Sequence, residues 1–170
     1  MKIYDGRPQQ DYEEVFRSLG AFIDQRGMRS ILILEAPDGY VLQGIALTTP
    51  DAASAHGVGA VAGRSEKETY TFLDDDIARF MEEARARRGT KTDGAPAAAG
   101  TYERALRVLG HYLDQQHPRD VFLFEQEGSY LVRLLMGART GANHVLAEFT
   151  PQEIDVMIEQ GPAWRLRSGQ

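Results

Sequence analysis

The chain has 170 residues, of which 42% are hydrophobic and 26% charged, with a formal net charge of −6 and no cysteine. That length suits one medium domain or two small ones, and the lack of cysteine excludes disulfides, thiolate zinc sites and cysteine nucleophiles. The acidic balance is shared, −4 over residues 1–88 and −2 over 101–170, which argues against a general nucleic-acid grip, since that needs clustered positive charge to displace counterions.

In chain order, the first expected element is a helix from Asp11. Asp11 is the expected N-cap, with Glu13 and Glu14 in the first turn, where the helix dipole favours acids. Tyr12, Val15, Phe16, Leu19, Phe22 and Ile23 fall on one apolar stripe, and Gly27 ends the helix. A hairpin follows: Ile31–Glu35, a turn through Pro37-Asp38-Gly39, then Tyr40–Leu47. A third strand is expected at Thr69–Phe72. It leads into a helix that opens on Asp74, Asp75 and Asp76 and closes on Arg85, Arg87 and Arg88. Residues 89–100 have no apolar pattern and read as a flexible linker.

The second half runs the same course. Thr101 is the expected N-cap of a helix whose stripe is Tyr102, Ala105, Leu106, Leu109, Tyr112 and Leu113, and Pro118 blocks its continuation. Strands are expected at Val121–Glu125, Tyr130–Leu135 and His144–Phe149. Thr150-Pro151-Gln152-Glu153 is a capping box with proline at the first helical position.

Residues 11–45 match 101–135 without a gap at an offset of 90. Tyr12, Glu13, Arg17, Leu19, Gly20, Asp24, Gln25, Arg29, Glu35 and Tyr40 recur as Tyr102, Glu103, Arg107, Leu109, Gly110, Asp114, Gln115, Arg119, Glu125 and Tyr130. Phe72 and Phe149 then align at an offset of 77, so the first half carries 13 extra residues within 48–67. The expected fold is α+β, a tandem duplication of a helix–strand–strand–strand–helix unit. Residues 1–88 form the first unit, with the insertion at 48–67, and 101–170 form the second. Antiparallel sheets carry helices on one face, and the units are expected in a pseudo-twofold arrangement. Gly20 and Gly110 fall mid-helix, where glycine costs about 1 kcal/mol relative to alanine; their matched placement suggests that another backbone packs close. The first strands of both hairpins are apolar on successive residues, so both faces are expected to be covered. Either the two sheets stack, or they join edge to edge and the combined sheet meets a second chain. Leu32, Leu34, Phe122 and Phe124 are therefore candidate partner contacts.

Other constellations are weaker. His56, Gly57, Gly59, Gly63 and Arg64 form a glycine-rich stretch that could approach a phosphate or small ligand. Its context fits neither a P-loop nor a Rossmann turn. Asp74, Asp75 and Asp76 diverge at a helix start and read as dipole compensation rather than a metal site. His56, His111, His117 and His144 have no i, i+4 pair, so no metal site, cofactor or catalytic residue is named. Glu35 and Glu125 read as acids flanking turns. Trp164, Arg165 and Arg167 have the composition of an interface hot spot and are further candidates for partner contact.

The order helix–strand–strand–strand–helix is similar to that of the double-stranded RNA-binding domain, which would imply an RNA module. That family's second helix starts with lysines; here Asp74–Asp76 and Pro151–Glu153 stand there, and acids repel phosphate. The chain also resembles bacterial secretion chaperones in combining helices with a small antiparallel sheet, here as a fused pseudo-dimer, with no specific residue match. Both resemblances are of topology, and no family is assigned. The expectation is a non-catalytic adaptor or chaperone-like protein that binds another protein or a second copy of itself. The alternatives are a small-ligand or nucleotide binder using the glycine-rich insertion, and a nucleic-acid module. No apolar run approaches 18 residues and Met1–Pro8 lacks an apolar signal core, so a cytoplasmic protein free of membrane is expected.

Overall fold

A computed structural model describes residues 11–48, 64–89, 100–137 and 143–161. The elements are α1 (Tyr12–Arg26), β1 (Met28–Ala36), β2 (Gly39–Thr48), β3 (Arg64–Leu73), α2 (Asp74–Gly89), α3 (Thr101–Gln116), β4 (Asp120–Gln126), β5 (Ser129–Met136), β6 (Asn143–Phe149) and α4 (Pro151–Gln160). The fold is α+β, with the four helices packed on one antiparallel sheet of six strands in the order β3-β2-β1-β4-β5-β6. The two hairpin sheets therefore do not stack. They join edge to edge where Leu32, Ile33 and Leu34 pair with Phe124, Leu123 and Phe122.

Local chemistry explains most boundaries. Gly27 ends α1 at φ 62° and returns its N–H to Asp24 and Ile23. His117 ends α3 at φ 51°, ahead of Pro118. Glu127 and Gly128 connect β4 to β5 with φ 53° and 81°, and a two-residue loop with both φ positive matches the twist of its strands. Thr150 and Glu153 form the reciprocal capping box with Pro151 in the first turn of α4. The third strand is longer than its apolar pattern implied. Ladder pairs with β2 run from Gly39↔Leu73 to Thr48↔Arg64, across the charged residues Glu66, Lys67 and Glu68. Backbone pairing with β2 overrides the low strand propensity of those residues. Ser30, at φ 50°, sits in a bulge between Arg29 and Leu32, which lets Met28 and Ile31 both point inward.

The core fills the space between the helices and one face of the sheet. Val15, Phe16, Leu19 and Ile23 of α1 and Leu106, Leu109 and Leu113 of α3 are fully buried against Ile31, Ile33, Leu42 and Leu123. Ile77 and Met81 bring α2 into the same cluster, and Ile154 and Met157 bring in α4. At the β3 end, Phe22 and Phe72 make an edge-to-face pair with centroids 5.3 Å apart, and Phe80 of α2 stands 5.2 Å from Phe72.

The centre of the molecule is the α1–α3 contact. A Cβ added at Gly20 would lie 2.5 Å from the Tyr102 carbonyl oxygen, and one at Gly110 would lie 2.4 Å from that of Tyr12. Each glycine thus admits the first turn of the opposite helix. Beside them, Arg17 Nε pairs with Glu103 and Arg107 Nε with Glu13, both at 3.1 Å. His111 Nδ1 also meets Glu13 at 2.9 Å. Burial raises the Glu13 carboxyl, but its bonds to His111 and Arg107 outweigh that and hold it below the usual carboxylate range.

The helix caps come from across this contact. Thr101 lies inside α3, whose N-cap position is Gly100, and neither Asp11 nor Gly100 caps with a side chain. Instead Asp114 accepts from the N–H groups of Tyr12 at 2.7 Å and Glu13 at 3.1 Å. Asp24 accepts from those of Tyr102 at 3.1 Å and Glu103 at 2.9 Å. Each helix start is closed by the other helix's last turns, so local capping and docking are one event. Burial pushes the Asp114 carboxyl up despite those two hydrogen bonds. Asp24→Ala and Asp114→Ala are each expected to cost about 1 kcal/mol in urea unfolding. Asp114→Asn keeps an acceptor and sheds the partly buried charge, so it should cost roughly half as much. Equal losses for Ala and Asn would show that the carboxylate acts otherwise than as a cap.

Candidate partner-binding face

Strand geometry sorts the side chains of the sheet. Successive residues point to opposite faces, and along β4 Val121, Leu123 and Glu125 are buried while Phe122 and Phe124 are only half-buried. The same alternation in β1 buries Ile31, Ile33 and Glu35 and turns Leu32 and Leu34 away from the helices. Pairing places these residues side by side. One row across the sheet runs Thr71, Val41, Leu34, Phe122, Arg133, Leu146. The next runs Thr69, Gln43, Leu32, Phe124, Leu131, Glu148.

The result is a face apolar at its centre, polar along β3 and mixed along β6, where Leu146 and Glu148 share the edge. Leu32, Phe122, Phe124 and Leu131 lie outside the core cluster. Leu34 is 39% exposed, and towards the β6 edge Leu146 is 67% exposed. Arg133 lays its guanidinium over the Phe122 ring, 5.3 Å from the centroid. All four helices bury their stripes on the opposite side, so among the described residues no element covers this face. A soluble chain seldom leaves so continuous an apolar surface to water unless something docks there.

Leu32, Leu34, Phe122 and Phe124 are thus brought together at the β1–β4 junction. Sequence reasoning missed Val41, Arg133 and Leu146, which complete the rows. The signal for them is strand register, which becomes readable only once the pairing of β1 with β4 is known. His56, Gly57, Gly59 and Gly63 lie outside the described residues, and Arg64 opens β3. Trp164, Arg165 and Arg167 also lie outside them.

Other clusters have structural partners. Glu35 and Glu125 do more than flank turns, being 6% and 2% exposed on the helix side. The Tyr12 hydroxyl donates to Glu35 at 2.7 Å, and the Tyr102 hydroxyl donates to Glu125 at 2.9 Å. Burial, helped by the neighbouring carboxylate, raises both phenols far above their usual range, so they stay protonated donors. Asp76 accepts from the Leu73 N–H at 3.0 Å and pairs with Arg79 at 2.9 Å, which accounts for one acid of the run at the start of α2. A cleft of about 90 Å³ between α1 and α2, lined by Phe22, Phe80 and Glu83, is below the size of small-molecule sites. Among the described residues no three His, Asp or Glu side chains converge in a way that could hold a metal ion, and no helix is long and apolar enough to cross a membrane. Comparison with known proteins finds no matching family model, curated protein or solved structure.

Proposed function

We propose that the chain is a non-catalytic protein-binding module of adaptor or chaperone-like type, whose working surface is the open face of the six-stranded sheet. The observation that carries this reading is the apolar strip formed by Leu32, Leu34, Phe122 and Phe124 on the side away from all four helices. On the same reading the chain is a tandem duplication with its halves related by a pseudo-twofold axis. The reciprocal contacts support that relation: Gly20 with Tyr102 and Gly110 with Tyr12, Arg17 with Glu103 and Arg107 with Glu13, Asp24 and Asp114 as exchanged caps. Joining two units through β1 and β4 doubles the width of the face, which is the physical gain of fusing them.

The test is site-specific photo-crosslinking in the host cell. A photoreactive residue in place of Phe122 is expected to yield adducts with polypeptide, whether this chain or another. The same residue in place of the exposed Arg104 on α3 is expected to yield few. A protein present at normal level that gives no adducts at position 122 would sink the reading. The ligand-binding and nucleic-acid readings gain no observation from the described residues.

A further inference from the structure

We infer that the occupant of the open sheet face is a second copy of this chain, stacked face to face about a twofold axis that lies between the sheets and crosses the strands. The inference rests on the protein-binding reading above and names the partner.

Area comes first. Six strands spaced about 4.8 Å apart, taken over the 7 residues of the shortest at about 3.3 Å per residue, present roughly 600 Å². Two such faces would remove roughly 1,200 Å² from water, the lower bound of a standard specific interface. A single helix about 10 Å wide, or one extended peptide, would cover less than half of that width. A second sheet of the same dimensions covers all of it, at the spacing of about 10 Å usual for stacked sheets.

The distribution of chemistry is that of an isologous surface. Bulky apolar residues fill the central strands β1 and β4 and continue as Leu131 on β5 and Leu146 on β6, whereas Thr69 and Thr71 on β3 and Glu148 on β6 are polar. An axis across the strands, between the two rows, lays each row on the other row of the partner. Leu34 then meets the partner's Leu32, and Phe122 meets the partner's Phe124. The charges also find complements. Arg133 on β5 and Glu148 on β6 occupy different rows, so the operation brings each Arg133 level with the partner's Glu148, one strand to the side. Both charges lie near the β6 side, where long side chains reach the rim and avoid full desolvation. An axis along the strands would instead set Arg133 on the partner's Val41, with no acid beside it.

Light scattering over a concentration series tests this with the full chain. The wild type is expected to have the mass of two chains, and Phe122→Lys that of one, with dimerisation weakened roughly a hundredfold. Circular dichroism should show that the variant keeps its fold, because Phe122 lies outside the core cluster. The pairing is tested by charge reversal. Arg133→Glu alone sets acid against acid and Glu148→Arg alone sets base against base, so each should be monomeric, while an equimolar mixture should regain dimer. The axis is tested in Leu146→Cys, the sole thiol in a chain with no native cysteine. A short bismaleimide should link two copies, since β6 lies over β6. A monomeric wild type, a dimer indifferent to Phe122→Lys, a mixture that stays monomeric, or a dimer in which residue 146 does not cross-link would each overturn the inference. A monomer that still gives position-122 adducts with other polypeptides would leave the protein-binding reading standing without this partner. A monomer without adducts would end both.

Discussion

Gly20→Ala should destabilise the protein by about 2 kcal/mol or more, although alanine favours a helix by about 1 kcal/mol over glycine. The added methyl would stand 2.5 Å from the Tyr102 carbonyl oxygen and 2.7 Å from the Glu103 Cα. Both are backbone atoms at the start of α3, so no side chain can rotate away and the helices themselves must separate. Separation also lengthens the Arg17–Glu103 pair and draws the Tyr102 and Glu103 N–H groups from Asp24. For a chain of this size the loss corresponds to a melting temperature lower by about 6 °C. Gly110→Ala faces the same geometry against Tyr12 and Glu13 and should cost a similar amount. The double variant should fall short of the sum, because moving the helices apart once relieves both contacts. Strict additivity in urea unfolding would show that the two glycines relax independently. A neutral or stabilising Gly20→Ala would remove close approach as their purpose.

The second large effect concerns Glu125, whose carboxylate ties together three parts of the chain. It accepts from the Tyr102 hydroxyl of α3 at 2.9 Å and from the Gly128 N–H of its own turn at 2.9 Å. It also accepts, at 3.4 Å, from the Ile31 N–H across the β1–β4 junction. Glu125→Ala leaves the buried Ile31 N–H and the part-buried Tyr102 and Gly128 donors without that acceptor and should cost about 3 kcal/mol. Tyr102→Phe removes one donor together with one bond and should cost about 1 kcal/mol. Glu125→Gln keeps one acceptor oxygen and should fall between the two. Amide exchange gives a local readout, since the Ile31 and Gly128 amides should lose more protection in Glu125→Ala than the amides of β3. A Glu125→Ala protein as stable as wild type would mean that water reaches the site and takes over the bonds.

These two predictions rest on positions that recur at the offset of 90, and they show what such positions do. From sequence, Gly20 reads as the mark of an unnamed backbone packed close and Glu13 as a first-turn charge, while Arg17 and Asp24 stand only as matched positions. Their actual partners belong to the opposite helix: the Tyr102 backbone, Arg107, Glu103, and the N–H groups of Tyr102 and Glu103. Sequence patterns register local constraints because helix period, turn residues and capping boxes act over a few residues. They carry no term for which surface a helix meets. Thr101 reads as the cap from sequence, because a threonine before an apolar stripe is the local solution. The structure uses Asp24, a remote one.

The element order, the two hairpins, the Thr150–Glu153 box and the two-sided apolarity of the first strands were fixed by residue order alone. Each depends on neighbours in the chain. Tertiary structure decided that β1 pairs with β4, that the sheets join by an edge rather than stack, and that Glu35 and Glu125 end up inside. An apolar run such as Ile31–Leu34 must be covered on both faces wherever it lies, but the run itself is indifferent to what covers it. Helices cover one face. The other face became a surface with a shape, a charge pattern and an area only when edge pairing set Leu32 beside Phe124 and Leu34 beside Phe122. Such register is a long-range quantity, set by cooperative packing of segments that lie far apart in the chain.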